Sequence, residues 1–351
     1  MLSPVGHKNY NFNLLNIIVE NCDVDTVFES GYLNDFEGIN NKINRSYDIP
    51  EKYLPKSISN KKGLIYKVLY RYNLYKAVKW VGKLVKKNDY DLILFTGIDI
   101  ISFSLATKRV VKRYVFVDHA ITYLDKNKVK RYFWQHLNPK IQAIAMEEYI
   151  KVYLKENLKV KNKVWILKHP LPTIKKYNNT AKENKIIFAP SGSNDEDFVS
   201  YLIENSDRIK GYKIIIKSKK QSINLKKLEV YNKRITNEEY YNLMSNCDYI
   251  LLPYNSNYNY RVSGVFFEAV VFNKRCIISS NNTLKYYADK YPKTVLKYDN
   301  YSDFIGMLES LKTGSNNNTS EELNLIKKNY SSHTLTEQLK LILSDGEKLN
   351  D

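Results

Sequence analysis

The chain has 351 residues, 43% of them hydrophobic, and carries 55 basic against 37 acidic side chains, a net charge of +18. Such a length exceeds the usual single domain and predicts two domains with packed cores; with no run of 18 apolar residues and no signal-peptide pattern at the start, a soluble cytoplasmic protein is expected. Three cysteines far apart, Cys22, Cys247 and Cys276, fit buried thiols rather than a zinc motif or a disulfide framework, and the short acidic pairs at 23/25 and 195/197 make no metal signature, so no metal is expected.

The positive charge favours polyanionic neighbours: nucleic acid, anionic lipid headgroups or phosphorylated substrates. Lysines are spread along the whole chain and no helix-turn-helix, RNP or finger pattern occurs, which argues against nucleic acid as a partner.

Taken in order, residues 1–4 read as the end of a strand, with Gly6 and His7 in the loop after it. Open α/β sheets bind ligands at that edge, so both are candidates for the acceptor side. Residues 12–20 are apolar at helical spacing, 24–29 form a second strand, and 34–62 are a polar excursion interrupted by Pro50 and Pro55. Residues 64–87 predict a long amphipathic helix, basic on one face and lined with Tyr and Leu on the other, a candidate for peripheral contact with the anionic inner face of a membrane. A strand at 91–96, a helix at 100–111 and a strand at 114–117 follow. The last delivers Asp118 and His119, two titratable groups, onto its C-terminal edge, where chemistry in this architecture takes place. Helices at 126–137 and 147–157 flank a strand at 141–145. A strand at 164–167 runs into Lys168-His169-Pro170-Leu171-Pro172, where His169 reads as a backbone or packing residue. The polar run 173–185 is then the expected linker.

The second half restarts the alternation. A strand at 186–189 opens into Pro190-Ser191-Gly192-Ser193-Asn194, a loop small enough at Gly192 and Ser193 for phosphate or sugar oxygens to reach the backbone. The strand KIIIK, residues 213–217, brings the Lys217 ammonium to the same kind of edge, where it suits a leaving diphosphate. Thr236 and Glu239 form a capping box for a helix at 238–245. The apolar run 249–252 stops at Pro253, a Tyr/Asn loop follows, and Ser263-Gly264 open the apolar segment 265–272. A further strand lies at 276–279. Unpaired N–H groups and the positive end of the helix dipole make that Ser-Gly start an anion site, while Glu268, one turn on, suits a pair of sugar hydroxyls. A nucleotide presents both groups. Residues 302–311 are amphipathic, 314–318 a polar break, and 321–343 a terminal helical region.

The stretch Arg261-Val-Ser-Gly-Val-Phe-Phe-Glu268-Ala269, followed by the Asn273-Lys274-Arg275 turn and the strand CIIS, resembles the nucleotide-sugar signature of GT-B glycosyltransferases, such as those of bacterial surface polysaccharides and glycoproteins. The resemblance implies an α/β GT-B fold, two Rossmann-like domains with parallel sheets facing a cleft. Residues 1–172 would hold the acceptor, 173–185 link, 186–320 hold the donor, and 321–351 pack back toward the first domain. It implies that Arg261, Ser263, Gly264 and Val265 hold the donor diphosphate, that Glu268 holds the ribose, that the loop at Gly192 and Ser193 faces the donor, and that the main chain of Ile235 contacts the base. His119 is similar in context to a His that meets the donor sugar. Retaining members often carry a Glu eight residues before the second one; this chain has Tyr260 there, which leaves inversion and retention both open for Asp118 and His119.

The expected activity is metal-independent transfer of a sugar from a nucleotide-diphosphate sugar, UDP-linked, to a glycan, glycolipid or glycoprotein, with no other cofactor. The rivals are a nucleotide-sugar epimerase, needing the donor site but no acceptor, and a basic non-enzymatic binding protein.

Overall fold

The structure is a computed structural model, and it describes residues 8–29, 38–54, 63–110, 112–119, 121–124, 126–174, 185–313 and 319–345. Gly6 and His7 lie outside the described residues, as does most of the expected linker. The chain forms two compact units, one of residues 1–170 with 331–351, the other of residues 171–330.

In the first unit, α1 (Lys8–Val19) precedes the parallel pair β1 (Asp25–Phe28) and β2 (Arg45–Asp48). Strand β2 sits inside the stretch read as a polar excursion. Its sequence RSYD is almost wholly exposed, so it carries no alternating apolar signal and is held by pairing alone. After α2 (Leu64–Lys87), the strands β3 (Ile93–Thr96), β4 (Tyr114–Val117), β5 (Ile141–Ala145) and β6 (Val164–Ile166) form a sequential parallel sheet. Helices α3 (Ile100–Ala106), α4 (Lys128–Gln135) and α5 (Glu148–Val152) make the crossovers. Every residue of β4 and β5 is buried, as expected of parallel strands covered on both faces.

The last helix, α12 (Ser332–Ser344), belongs to this unit. It buries Leu335, Leu339 and Ile342. Arg113 donates to the carbonyls of Ile342 and of Leu343, the latter at 3.1 Å, and the Gln338 side chain accepts from the Lys168 amide at 3.0 Å.

The second unit contains β7 (Ile186–Ala189), α6 (Glu196–Glu204), β8 (Lys213–Lys217), the hairpin β9 (Ile223–Leu225) and β10 (Leu228–Tyr231), α7 (Asn237–Asn246), β11 (Tyr249–Leu252), α8 (Gly264–Val271), β12 (Arg275–Ser279), α9 (Lys285–Lys290), β13 (Val295–Tyr298), α10 (Tyr301–Thr313) and α11 (Ser320–Asn329). The sheet order is β13-β12-β11-β7-β8-β10-β9, parallel except for β9. From β7 the chain builds outward to β8, then returns to β11 on the other side. The strand order therefore reverses between β7 and β11, the place where doubly wound sheets open a crevice at their carboxyl ends.

The terminal region expected as one helical segment from 321 is two helices in different units. Leu323 and Ile326 of the first are buried, and Ile326 joins the core beneath α8 together with Tyr330, the residue that caps the helix, which meets Phe267 at 4.8 Å, so the chain leaves the second unit only after Tyr330. Truncating that anchor tests the division. Tyr330→Ala should cost about 3–5 kcal/mol of stability, the usual effect of emptying an aromatic core site, measured by urea unfolding; a loss below about 1 kcal/mol would place α11 outside the core.

Candidate active site

The loops leaving β7, β11 and β12 meet around one buried tyrosine. Tyr254 is 1% exposed, and its hydroxyl shares a 3.2 Å hydrogen bond with Ser263 Oγ and bonds the Ser191 hydroxyl as well. Burial pushes its hydroxyl upward, so it stays protonated at any physiological pH. Asn194, also buried, donates from Nδ2 to the carbonyls of Ala189 at 2.9 Å and Lys217 at 3.0 Å, tying the ends of β7 and β8 together. The Asp195 amide reaches across to the carbonyl of Pro253 at 2.8 Å. These bonds bring the loops of the small-residue motif and of the Ser-Gly motif side by side.

Ser263 is the N-cap of α8, its Oγ accepting from the Phe266 amide at 3.3 Å. The amides of Gly264 and Val265 come before any intrahelical acceptor and find none elsewhere among the described residues. Gly264 is exposed, and a Cβ built on it meets nothing within 4 Å; the same holds for Gly192. The helix start is open to an approaching anion. Ser193, by contrast, gives its amide to Ser191 Oγ at 3.1 Å, so it shapes the loop while Gly192 faces outward.

Tyr260 stands on the same loop with φ of 57°, a strained conformation for a bulky side chain, held by its amide donating to Thr283 Oγ1 at 2.8 Å. Arg261 follows, its guanidinium 5.6 Å from the centre of the Tyr258 ring.

Glu268 lies one turn along α8, half-buried, and accepts a hydrogen bond on Oε2 from the hydroxyl of Tyr240 on α7. Burial raises the carboxyl above its ordinary range and the Tyr240 hydrogen bond only partly offsets this. Nothing in the sequence pattern marked Tyr240; it is brought to Glu268 by the packing of α7 beside α8. The capping box of Thr236 and Glu239 forms as expected and starts α7. Just before it, the main-chain N–H and C=O of Ile235 have no partner among the described residues, while its side chain packs on the core. Lys217 ends β8, half-exposed.

In the first unit the Asp118-His119 pair divides. Asp118 is 5% exposed and accepts from Trp134 Nε1 at 2.9 Å, so it fixes α4 against β4 instead of standing free as a base. His119 is half-exposed, and its ring meets the edge of Tyr10 at 4.9 Å between centroids; Tyr10 in turn lies 5.1 Å from His169. The packing role read for His169 is against this buried tyrosine, which the sequence did not single out. Among the described residues no group of three His, Cys, Asp or Glu side chains could hold a metal ion.

The first unit also holds a cavity of about 2160 Å³ bordered by β1 and β3. Its lining mixes apolar side chains with charged ones such as Asp25, Arg45, Asp89 and Lys112, and it includes none of the residues proposed from the sequence for catalysis or for donor or acceptor binding.

No protein-family model matches the chain, and no curated protein matches it. Solved structures do. The chain is similar to a glycosyltransferase from Rickettsia africae (TM-score 0.67, 12% identity, 99% of this chain and 96% of that one). It is similar to the trehalose-6-phosphate protein from E. coli bound with UDP-2-fluoro glucose (TM-score 0.67, 10% identity, 98% and 97%). It is also similar to sucrose-phosphate synthase from Thermosynechococcus elongatus (TM-score 0.64, 10% identity, 86% and 82%). At such identities the likeness is one of fold, and the fold is GT-B.

A carboxyl whose folded pKa is raised weakens the folded state at neutral pH, because folding then disfavours the charged form; the penalty vanishes once pH falls below the unfolded pKa. Glu268→Gln should therefore raise the Tm at pH 7 by a few degrees at most, and the gain should disappear on titration toward pH 4. A lower Tm at pH 7 would mean that Glu268 is a stabilising group.

Proposed function

We propose that the protein is a glycosyltransferase that takes a sugar from a nucleotide-diphosphate sugar, UDP-linked, and passes it to a glycan, lipid-linked glycan or glycoprotein, with its basic surface meeting an anionic membrane at the periphery. The observation that carries this reading is the open N-terminus of α8 at the strand-order reversal, with a half-buried carboxylate one turn behind it. The GT-B fold supports it, and one similar structure is described as bound with UDP-2-fluoro glucose.

Each donor group of such a ligand has a suited partner. The diphosphate oxygens accept from the Gly264 and Val265 amides, with Gly192 leaving space for close approach. Arg261 and Lys217 add positive charge where the leaving group gathers negative charge, and charge held in place beforehand is often what lowers such a barrier most. Glu268 accepts from the ribose hydroxyls on the oxygen that Tyr240 leaves open. The unpaired peptide groups at Ile235 can read a base edge. His119 is the group suited to the sugar or acceptor, as base under inversion or as a positioning group under retention, while Asp118 serves the scaffold.

Thermal shift with UDP, GDP, ADP and the corresponding nucleotide-sugars tests the reading, since a ligand bound only by the folded form raises its Tm. Lys217→Ala should weaken the shift and Glu268→Ala abolish it. Gly192→Val and Gly264→Val should leave the unliganded Tm nearly unchanged, because the added side chains meet open space, yet abolish the shift. No shift with any nucleoside diphosphate would overturn the donor assignment, and turnover of the nucleotide-sugar without an acceptor would convert it to an epimerase.

A further inference from the structure

Large hydrophobic side chains left exposed among the described residues are mostly scattered, but five of them share the first two and a half turns of α2: Leu64, Ile65, Val68, Leu69 and Tyr72, from 44% to 78% exposed. The buried residues of α2 begin only at Leu74 and continue through Ala77, Val78, Val81 and Val85. The helix is thus anchored by its second half, where it packs on α3, and Arg71 is fixed through its carbonyl to Ser102 Oγ at 3.0 Å. Its first turns hold no fully buried residue, and Tyr66 and Tyr70 there are half-buried.

At about 100° per residue, Ile65, Leu69, Tyr72, Lys76, Lys79, Lys83 and Lys86 fall on one side of the helix, opposite the buried row. That side is apolar at its N-terminal end and lysine for the rest of its length. Lys76 lies over the ring of Tyr72 at 4.2 Å, where the two parts meet. The helix carries seven basic residues and no acidic one.

We infer that this outer side of α2 is a docking surface for an anionic lipid bilayer, with the Leu64 to Tyr72 end entering the headgroup boundary and the lysine row lying over lipid phosphates. The two halves call for different environments: exposed aliphatic side chains gain from acyl chains, a tyrosine from the interface, and lysines from anionic headgroups, and a bilayer surface supplies all three at adjoining depths. Nucleic acid would pair with the lysines and leave the apolar end in water. A second copy would bring two lysine rows together. No helix among the described residues is long and apolar enough to cross a membrane, so the contact lies in the plane of the surface. The inference does not depend on the donor reading.

Sedimentation with phosphatidylcholine vesicles, with and without about one third phosphatidylglycerol, tests it on the full chain. The protein should pellet with the anionic vesicles only, and less as salt rises. Lys79→Glu with Lys83→Glu should weaken partitioning by an order of magnitude or more, since each lysine near such a surface is worth roughly fivefold. Ile65→Asn with Leu69→Asn should weaken it at every salt concentration. Both double variants alter exposed side chains, so their Tm and their nucleoside-diphosphate thermal shift should match the parent. Equal partitioning of parent and variants would overturn the assignment. So would binding to DNA but not to vesicles, or a dimer that Ile65→Asn dissolves. A missing nucleotide shift with intact vesicle binding would instead count against the donor site alone.

Discussion

A phenol sealed in the interior needs partners for its hydroxyl, and in the second unit that need sets the positions of the loops. Leaving the Tyr254 hydroxyl unpaired would cost about 1–3 kcal/mol. It is satisfied by Ser263 and Ser191, while its own carbonyl accepts from Asn282 Nδ2 at 2.7 Å. One side chain thereby links the loops that follow β7, β11 and β12. Asn194 does the same for the ends of β7 and β8. Tyr254, Ser263, Asn194 and Asn282 are all buried, and the Gly264 and Val265 amides at the start of α8 have no partner among the described residues. A rigid frame with a few unused donors is what preorganised anion binding requires.

The same region holds features that oppose stability. Tyr260 takes a left-handed backbone conformation, and Glu268 keeps a carboxyl in surroundings that resist its charge. Both are tolerated because the neighbouring structure over-determines them: Thr283 holds the Tyr260 amide, and Tyr240 donates to Glu268. The strain gathers on one loop and one helix turn beside β11, a strand whose every residue is buried.

The first unit is arranged by different demands. Asp118 receives the Trp134 indole N–H and so secures α4, while the half-exposed His119 packs its ring against Tyr10. Across the same unit, α2 uses one row of side chains for the core and leaves the opposite row to solvent, apolar at one end and cationic along the rest. The net charge of +18 gains a specific place there, although lysines occur throughout the chain.

Short apolar runs such as KIIIK, YILL and CIIS, each bounded by Pro, Gly or a polar turn, sufficed to locate the central parallel strands, because a strand buried on both faces must be apolar throughout. The 64–87 helix was legible in full from its periodicity. Strand β2 was not, since RSYD pairs at an exposed edge where no hydrophobic pattern is demanded. The Ser263-Gly264 start and the Thr236 capping box were readable because caps are local, set by residues within one turn of each other. The partners Tyr240 and Tyr254 were invisible for the opposite reason: in a chain with 30 tyrosines no spacing distinguishes them, and only the packing of α7 on α8 and the closure of the sheet decide which hydroxyls are buried and whom they meet. Local chemistry wrote the strands and caps into the sequence, whereas the pairing of distant polar groups, which joins the start of α8 to the neighbouring loops, exists only once the sheet has brought those loops together.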